Sequence, residues 1–227
     1  MNKSISFLRE LTANNHKEWF DANRDFFLEA KGEFERLVDR LIVEVRLFDP
    51  SIGAITAKDC MFRIYRDVRF SRDKTPYKNH FGAYIAQGGR KSILGGYYFH
   101  LEPVGENSQN RSIWAGGIFC PEPATLKAIR TDIYECIDEY KSIINNKEFA
   151  ATFAWFEDSK LRTAPKGFPK DFPDIDLLKY KDYTFSRSID ERTLQSDRLL
   201  EESIRVFKLM LPFNNFMNRA INGMKSE

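Results

Sequence analysis

Cysteine and histidine are scarce in this chain, three of each among 227 residues. Cys60, Cys120 and Cys136 are well separated, with no C-x-x-C spacing. An odd number without a framework implies reduced thiols, which excludes a disulfide-built secreted scaffold and makes the cytoplasm the expected compartment. His16, His80 and His100 form no H-E-x-x-H run, so neither a metal centre nor any cofactor is expected. Also missing are a G-x-S-x-G nucleophile turn and a G-x-x-x-x-G-K-[ST] phosphate loop. No apolar run nears the roughly 20 residues of a membrane-spanning helix. Ile5-Ser6-Phe7-Leu8 is cut short by Arg9 and Glu10, so no signal peptide is expected either. Charge of one sign is not in excess: 35 Lys and Arg face 33 Asp and Glu, for a net +2. An extended nucleic-acid footprint needs a more basic domain, so that partner is not favoured.

What is present is a foldable mixture. Apolar residues make up 42% and aromatic residues 14%, enough to argue against disorder. A chain this long buries roughly 70% of its unfolded surface and needs no staple. No repeat, low-complexity tract or Gly/Ser linker divides it, so residues 1–227 read as one domain. Apolar residues recur at helical spacing over residues 15–48, with Asn15 and Glu18 as a capping pair and Asp49-Pro50 as the stop. Four strand-like runs follow within residues 60–119: 60–66, 80–86, 96–102 and 112–119. Consecutive strands without room for crossover helices imply an antiparallel meander. The polar stretch 104–111 is its least ordered connection. Helices are expected over 126–144 and 147–156, a Pro-punctuated loop over 165–173, a strand over 183–189, and a helix from Leu199 that Pro212 kinks or restarts. The fold class is therefore α+β, a meander plus one further strand, covered by long amphipathic helices. Trp19, Phe27, Leu41, Ile133 and Ile137 are expected in the core.

The stretch 63–80 concentrates charge. It holds four Arg and two Lys against two Asp. Guanidinium groups held close together repel until an anion interleaves, and their forks match phosphate or carboxylate. If a strand persists through Arg69, then Arg63, Tyr65, Asp67 and Arg69 share one face, and Ile64, Arg66, Val68 and Phe70 the other. Pro76 stiffens the loop, which is expected to be ordered and to turn its cations toward a concavity beside Tyr98-Phe99-His100. The candidate ligand-binding set is Arg63, Arg66, Arg69, Lys74, Tyr77, Lys78, Tyr98 and His100. An anionic small molecule or a nucleotide is the partner this set fits.

The run Phe62-Arg63-Ile64-Tyr65-Arg66-Asp67-Val68-Arg69-Phe70-Ser71-Arg72-Asp73-Lys74-Thr75-Pro76-Tyr77-Lys78 resembles the central signature of domain of unknown function 2461, a bacterial and fungal family. Phe7-Leu8 with Leu11, Trp19-Phe20, Gly95 to Pro103, and Ala115-Gly116-Gly117-Ile118 with Pro121 extend the resemblance over nearly the whole chain. It implies a single intracellular α+β domain and no established activity, substrate or cofactor. One departure concerns the proline loop, where the family often has Asp-His-Pro and this chain has Asp171-Phe172-Pro173. No histidine is carried over there.

Other constellations are thin. Tyr98, His100 and Glu102 share a strand face, with His80 on the neighbouring strand; a satisfied histidine beside an acid is the favoured reading over a ligand set. Gly88-Gly89, Gly95-Gly96 and Gly116-Gly117 mark turns or close backbone approach. Cys60 and Cys120 read as buried, inert thiols. Lys166, Lys170, Lys179 and Lys181 make a second basic stretch, read first as a solvated face. Three functions stay open. The first is a module binding a phosphate-bearing or other anionic ligand. The second is an enzyme on an anionic substrate, with Asp67, His100 or Tyr77 as acid or base. The third is an interaction or structural domain whose basic loop is only a salt-bridge network.

Overall fold

The structure, a computed structural model, describes residues 1–103, 111–157 and 159–224. Helix α1 (Asn2–Ala13) opens it. Its buried Ser4, Ile5, Phe7, Leu8 and Leu11 form one stripe, a helical spacing too short and too interrupted by charge to stand out in the sequence. The 15–48 periodicity divides into α2 (Lys17–Ala22) and α3 (Arg24–Phe48). His16, not Asn15, caps α2, accepting from the Trp19 amide at 3.4 Å. The break falls at Asn23, whose side-chain amide donates to the Trp19 carbonyl, a local bond that competes with the helix.

The sheet has five strands, all antiparallel, in the order β1-β2-β3-β5-β4. They are β1 (Phe81–Ile85), β2 (Gly96–Leu101), β3 (Ile113–Ile118), β4 (Ala154–Trp155) and β5 (Tyr183–Ser188). The expected meander is present in its last three strands. The first expected strand, 60–66, is not in the sheet: α4 (Ala57–Cys60) ends there, and the chain then makes only isolated bridges, Met61 to Ala83 and Tyr65 to Tyr77. The physical reason is that this segment pairs with its own returning loop. The Arg66 amide donates to the Pro76 carbonyl, and the Lys78 amide to that of Ile64. The 104–111 stretch lies, but for Arg111, outside the described residues.

One sheet face carries Phe81, Ala83, Ile85, Tyr97, Phe99, Leu101, Trp114 and Ile118, all buried. Helices α3 and α10 (Leu199–Gly223) cover it: Phe34 packs on Phe99, and Ser203 accepts from the Trp114 indole at 2.8 Å. The buried Asn214 of α10 accepts from the Gly117 amide at 2.9 Å and donates to the Gly96 carbonyl at 3.0 Å. This helix is continuous through Pro212. The 126–144 run is two helices, α5 (Pro123–Glu135) and α6 (Ile137–Ile144), parted at Cys136. Helix α7 (Lys147–Thr152) stops early because Ala154 and Trp155 join the sheet edge. Short helices α8 (Ile175–Leu178) and α9 (Glu191–Gln195) complete the chain. Leu41 and Ile133 are fully buried, while Trp19, Phe27 and Ile137 are partly so. Cys60 is buried as expected, but Cys120 is exposed, on a tight turn with φ of 47° just after β3.

Candidate functional site

Two neighbouring features occupy the β1 side of the sheet. The first is the basic loop. It is tied down by its own acids: Arg66 bonds Asp73 and the Thr75 hydroxyl. Arg69 grips Asp67 with two bonds, at 2.9 and 2.6 Å. Arg66, then the Thr75 amide and hydroxyl, hold the Asp73 carboxyl down at about 2, and Arg69 lowers Asp67 in the same way. Lys74 donates to the Val68 carbonyl at 2.9 Å. Tyr77 is buried, stacked on Phe20 at 4.0 Å, and its backbone exchanges two bonds with the Asn15 side chain. Arg66, Arg69, Lys74 and Tyr77 thus all have partners within or beside the loop.

Arg63 and Lys78 are placed differently. Both line a concave cleft of about 540 Å³. Lys31 and Glu35 of α3, Lys58 of α4, and Arg90 and Lys91 of the turn after β1 line it as well, with Met61 and Phe62 as its apolar floor. Six cationic residues thus line the cleft with one carboxylate, and that carboxylate pairs with Lys31 at 3.3 Å. Arg90 is anchored by the Lys58 and Asp59 carbonyls at 2.6 and 2.9 Å. Gly89 makes this closeness feasible, since at φ +71° a Cβ there would lie 2.4 Å from the Asp59 oxygen. The Lys78 ammonium lies 5.6 Å from the Phe62 ring centroid. Its burial, then the charge of Arg63, lower its pKa. Lys31, Lys58, Arg90 and Lys91 had no sequence signal, because each is an ordinary surface cation until the fold gathers them. The second basic stretch contributes Lys166 to another concavity, of about 450 Å³, with Lys127 and Arg130 of α5. That concavity shares no lining residue with the first.

The second feature lies on the sheet face opposite the helices. Tyr98 and His100 alternate outward on β2, and Glu102 follows directly after it. The Tyr98 hydroxyl lies 2.8 Å from His100 Nδ1, and His100 Nε2 lies 2.9 Å from Glu102 Oε2. Asn79 donates to Glu102 Oε1 at 3.0 Å, and the Glu102 amide donates to the Ser112 hydroxyl at 2.9 Å. His80, just before β1, sets its ring 4.3 Å from that of His100, tilted by 34°. Gly82, paired with His100, leaves room for the Tyr98 ring; a Cβ there would sit 2.6 Å from the hydroxyl. Burial pushes His80 down to about 3, aided by His100. Burial, then the charge of Glu102, raises the Tyr98 phenol. Burial pushes Glu102 up, but the hydrogen bond to His100 and the charges of His100, His80 and Arg111 together outweigh it, and its net shift is downward. Phe62 joins the two features, lining the cleft and packing edge-on against Tyr98 at 6.2 Å.

No curated protein matches this chain, and no solved structure does. The family of conserved hypothetical proteins DUF2461 matches over residues 3–216. That span includes every cleft and sheet-face residue described above, and the chain belongs to this family.

Proposed function

We propose that the protein binds a phosphate-bearing or other anionic small ligand in the cleft between α3, α4 and the turn after β1. The observation that carries this is the six-to-one excess of cations over carboxylates lining a single concavity. Arg66 and Arg69, by contrast, already have protein carboxylates. Cations gathered in a concavity from separate elements repel one another, and an anion relieves that repulsion. Calorimetric titration with inorganic phosphate, pyrophosphate and nucleotides tests the reading. Binding that weakens with salt, and weakens further in Arg63→Ala and Lys58→Ala but not in Arg69→Ala, is the expected result. No binding across the panel, or loss confined to Arg69→Ala, returns the cations to a structural role.

A second reading, an enzyme acting on the same ligand, is favoured by the hydrogen-bonded chain Tyr98–His100–Glu102 beside the cleft. Glu102 orients His100, whose other nitrogen meets the Tyr98 hydroxyl, so proton transfer to a ligand would run through that phenol. Turnover of a phosphoester panel that falls in His100→Asn while ligand binding persists would select this reading.

A further inference from the structure

We infer that His80, His100 and Glu102 form a binding site for a divalent first-row transition metal. The three side chains each offer a donor atom, and all three donors lie within 4.8 Å of one another. Ligand bonds of about 2.1 Å set two donors roughly 3 Å apart at right angles and roughly 4.2 Å apart when opposed. His100 Nε2 and Glu102 Oε2, at 2.9 Å, already stand at the first of these spacings. The His80 donor lies within 4.8 Å of both.

The surroundings are those that ligands of this kind require. A metal-bound imidazole uses its other nitrogen to donate a hydrogen bond, and a ligating carboxylate is itself held. With the metal on Nε2, His100 Nδ1 carries the proton and donates to the Tyr98 oxygen, 2.8 Å away. Asn79 holds the second Glu102 oxygen. The His80 ring lies against that of His100 at 4.3 Å, tilted by 34°, and among the described residues no hydrogen-bond donor or acceptor engages that ring. Both His100 and Glu102 are little exposed, at 14% and 10% of the side chain, so the donors are held in place without being sealed. Two imidazoles with one carboxylate select Zn²⁺, Fe²⁺, Co²⁺ or Mn²⁺ over Mg²⁺ and Ca²⁺, which prefer oxygen. Three protein ligands leave coordination positions for water or a bound anion. The inference is independent of the anion cleft, which shares none of the three residues. It departs from the expectation that histidine spacing alone suggests, because His80 and His100 meet only across the β1–β2 pairing.

Chelator-treated protein titrated with Co²⁺, followed by visible absorption, and with Zn²⁺, followed by calorimetry, tests it. One equivalent should bind. His80→Asn, His100→Asn and Glu102→Gln should each weaken binding at least about tenfold with the circular dichroism unchanged. His16→Asn should bind as the wild type does, and Arg63→Ala should bind phosphate more weakly but keep metal. On wild-type protein alone, Mn²⁺ should broaden the imidazole resonances of His80 and His100 and spare His16. Absence of saturable uptake, unchanged uptake in the His80→Asn/His100→Asn double variant, or broadening of His16 instead would each overturn the site.

Discussion

At the scale of single residues, the two thiols at the ends of the sheet region differ most. Cys60 is buried, and burial, with the charge of Asp59 second, raises its pKa to about 12. Cys120 is exposed. A native-state thiol titration near neutral pH should label Cys120 and leave Cys60 until the protein unfolds. A raised folded-state pKa stabilises the fold fully below the thiol's ordinary value of 9.0. That contribution is lost as pH rises from there through about 12. An alkaline unfolding series on Cys60→Ser against wild type would show the shallower decline in the variant. Gly82 is the second informative residue. Gly82→Ala must displace the Tyr98 ring, and denaturant melts should show a loss of about 1–3 kcal/mol. The Tyr98–His100 bond should go with it, visible as a shifted His100 imidazole resonance.

At the scale of elements, α10 is joined to the sheet by amide side chains as well as by apolar packing. Asn214 serves the Gly96 carbonyl and the Gly117 amide, and Asn218, one turn on, serves both backbone groups of Gly95 at 2.6 and 3.0 Å. Asn214→Leu strands two buried backbone groups at about 1–3 kcal/mol each, so chemical denaturation should report a loss of about 2–6 kcal/mol. The basic loop behaves as a different kind of element. Its order depends on Arg66 with Asp73 and on the Asn15 clasp of Tyr77. Because the Asp73 pKa is depressed, the Arg66 tie is complete above the ordinary carboxylate value of 3.8 and fades as pH falls through about 2. Arg66→Ala should make residues 66–78 a site of limited proteolysis at neutral pH, while the rest of the chain stays resistant.

At the scale of the whole molecule, a net charge of +2 conceals a cleft lined by six cations. Its walls come from α3, α4, the segment after α4, Lys78 and the turn after β1, so an anion bound there links elements that unfold together. At one hundred times its dissociation constant, a ligand should add about 2.7 kcal/mol to the unfolding free energy. Thermal melts in rising phosphate should therefore move upward, and the shift should shrink as sodium chloride is added.

The amino-acid sequence alone was enough for the α+β class, the antiparallel connection of neighbouring strands, long amphipathic helices and the concentration of charge in the basic loop. Each of these is a local matter of period, turn residues and charge along the chain. It also displayed Tyr98, His100 and Glu102 on one face, because alternation in a strand is local. Tertiary structure decided the rest. The alternation of 60–66 fits a sheet strand and a self-paired loop equally well, and only the return of 76–78 onto 64–66 selects the second. Whether Arg66 and Arg69 face a ligand or their own aspartates is a matter of angles that spacing does not contain. Lys31, Lys58, Arg90 and Lys91 acquire meaning only when α3, α4 and the turn after β1 pack around one hollow. His80 meets His100 only through the β1–β2 register, Gly82 against His100. Such a juxtaposition costs chain entropy in closing the intervening loop, and burial elsewhere in the core offsets that cost. No property of either histidine in the linear chain records it.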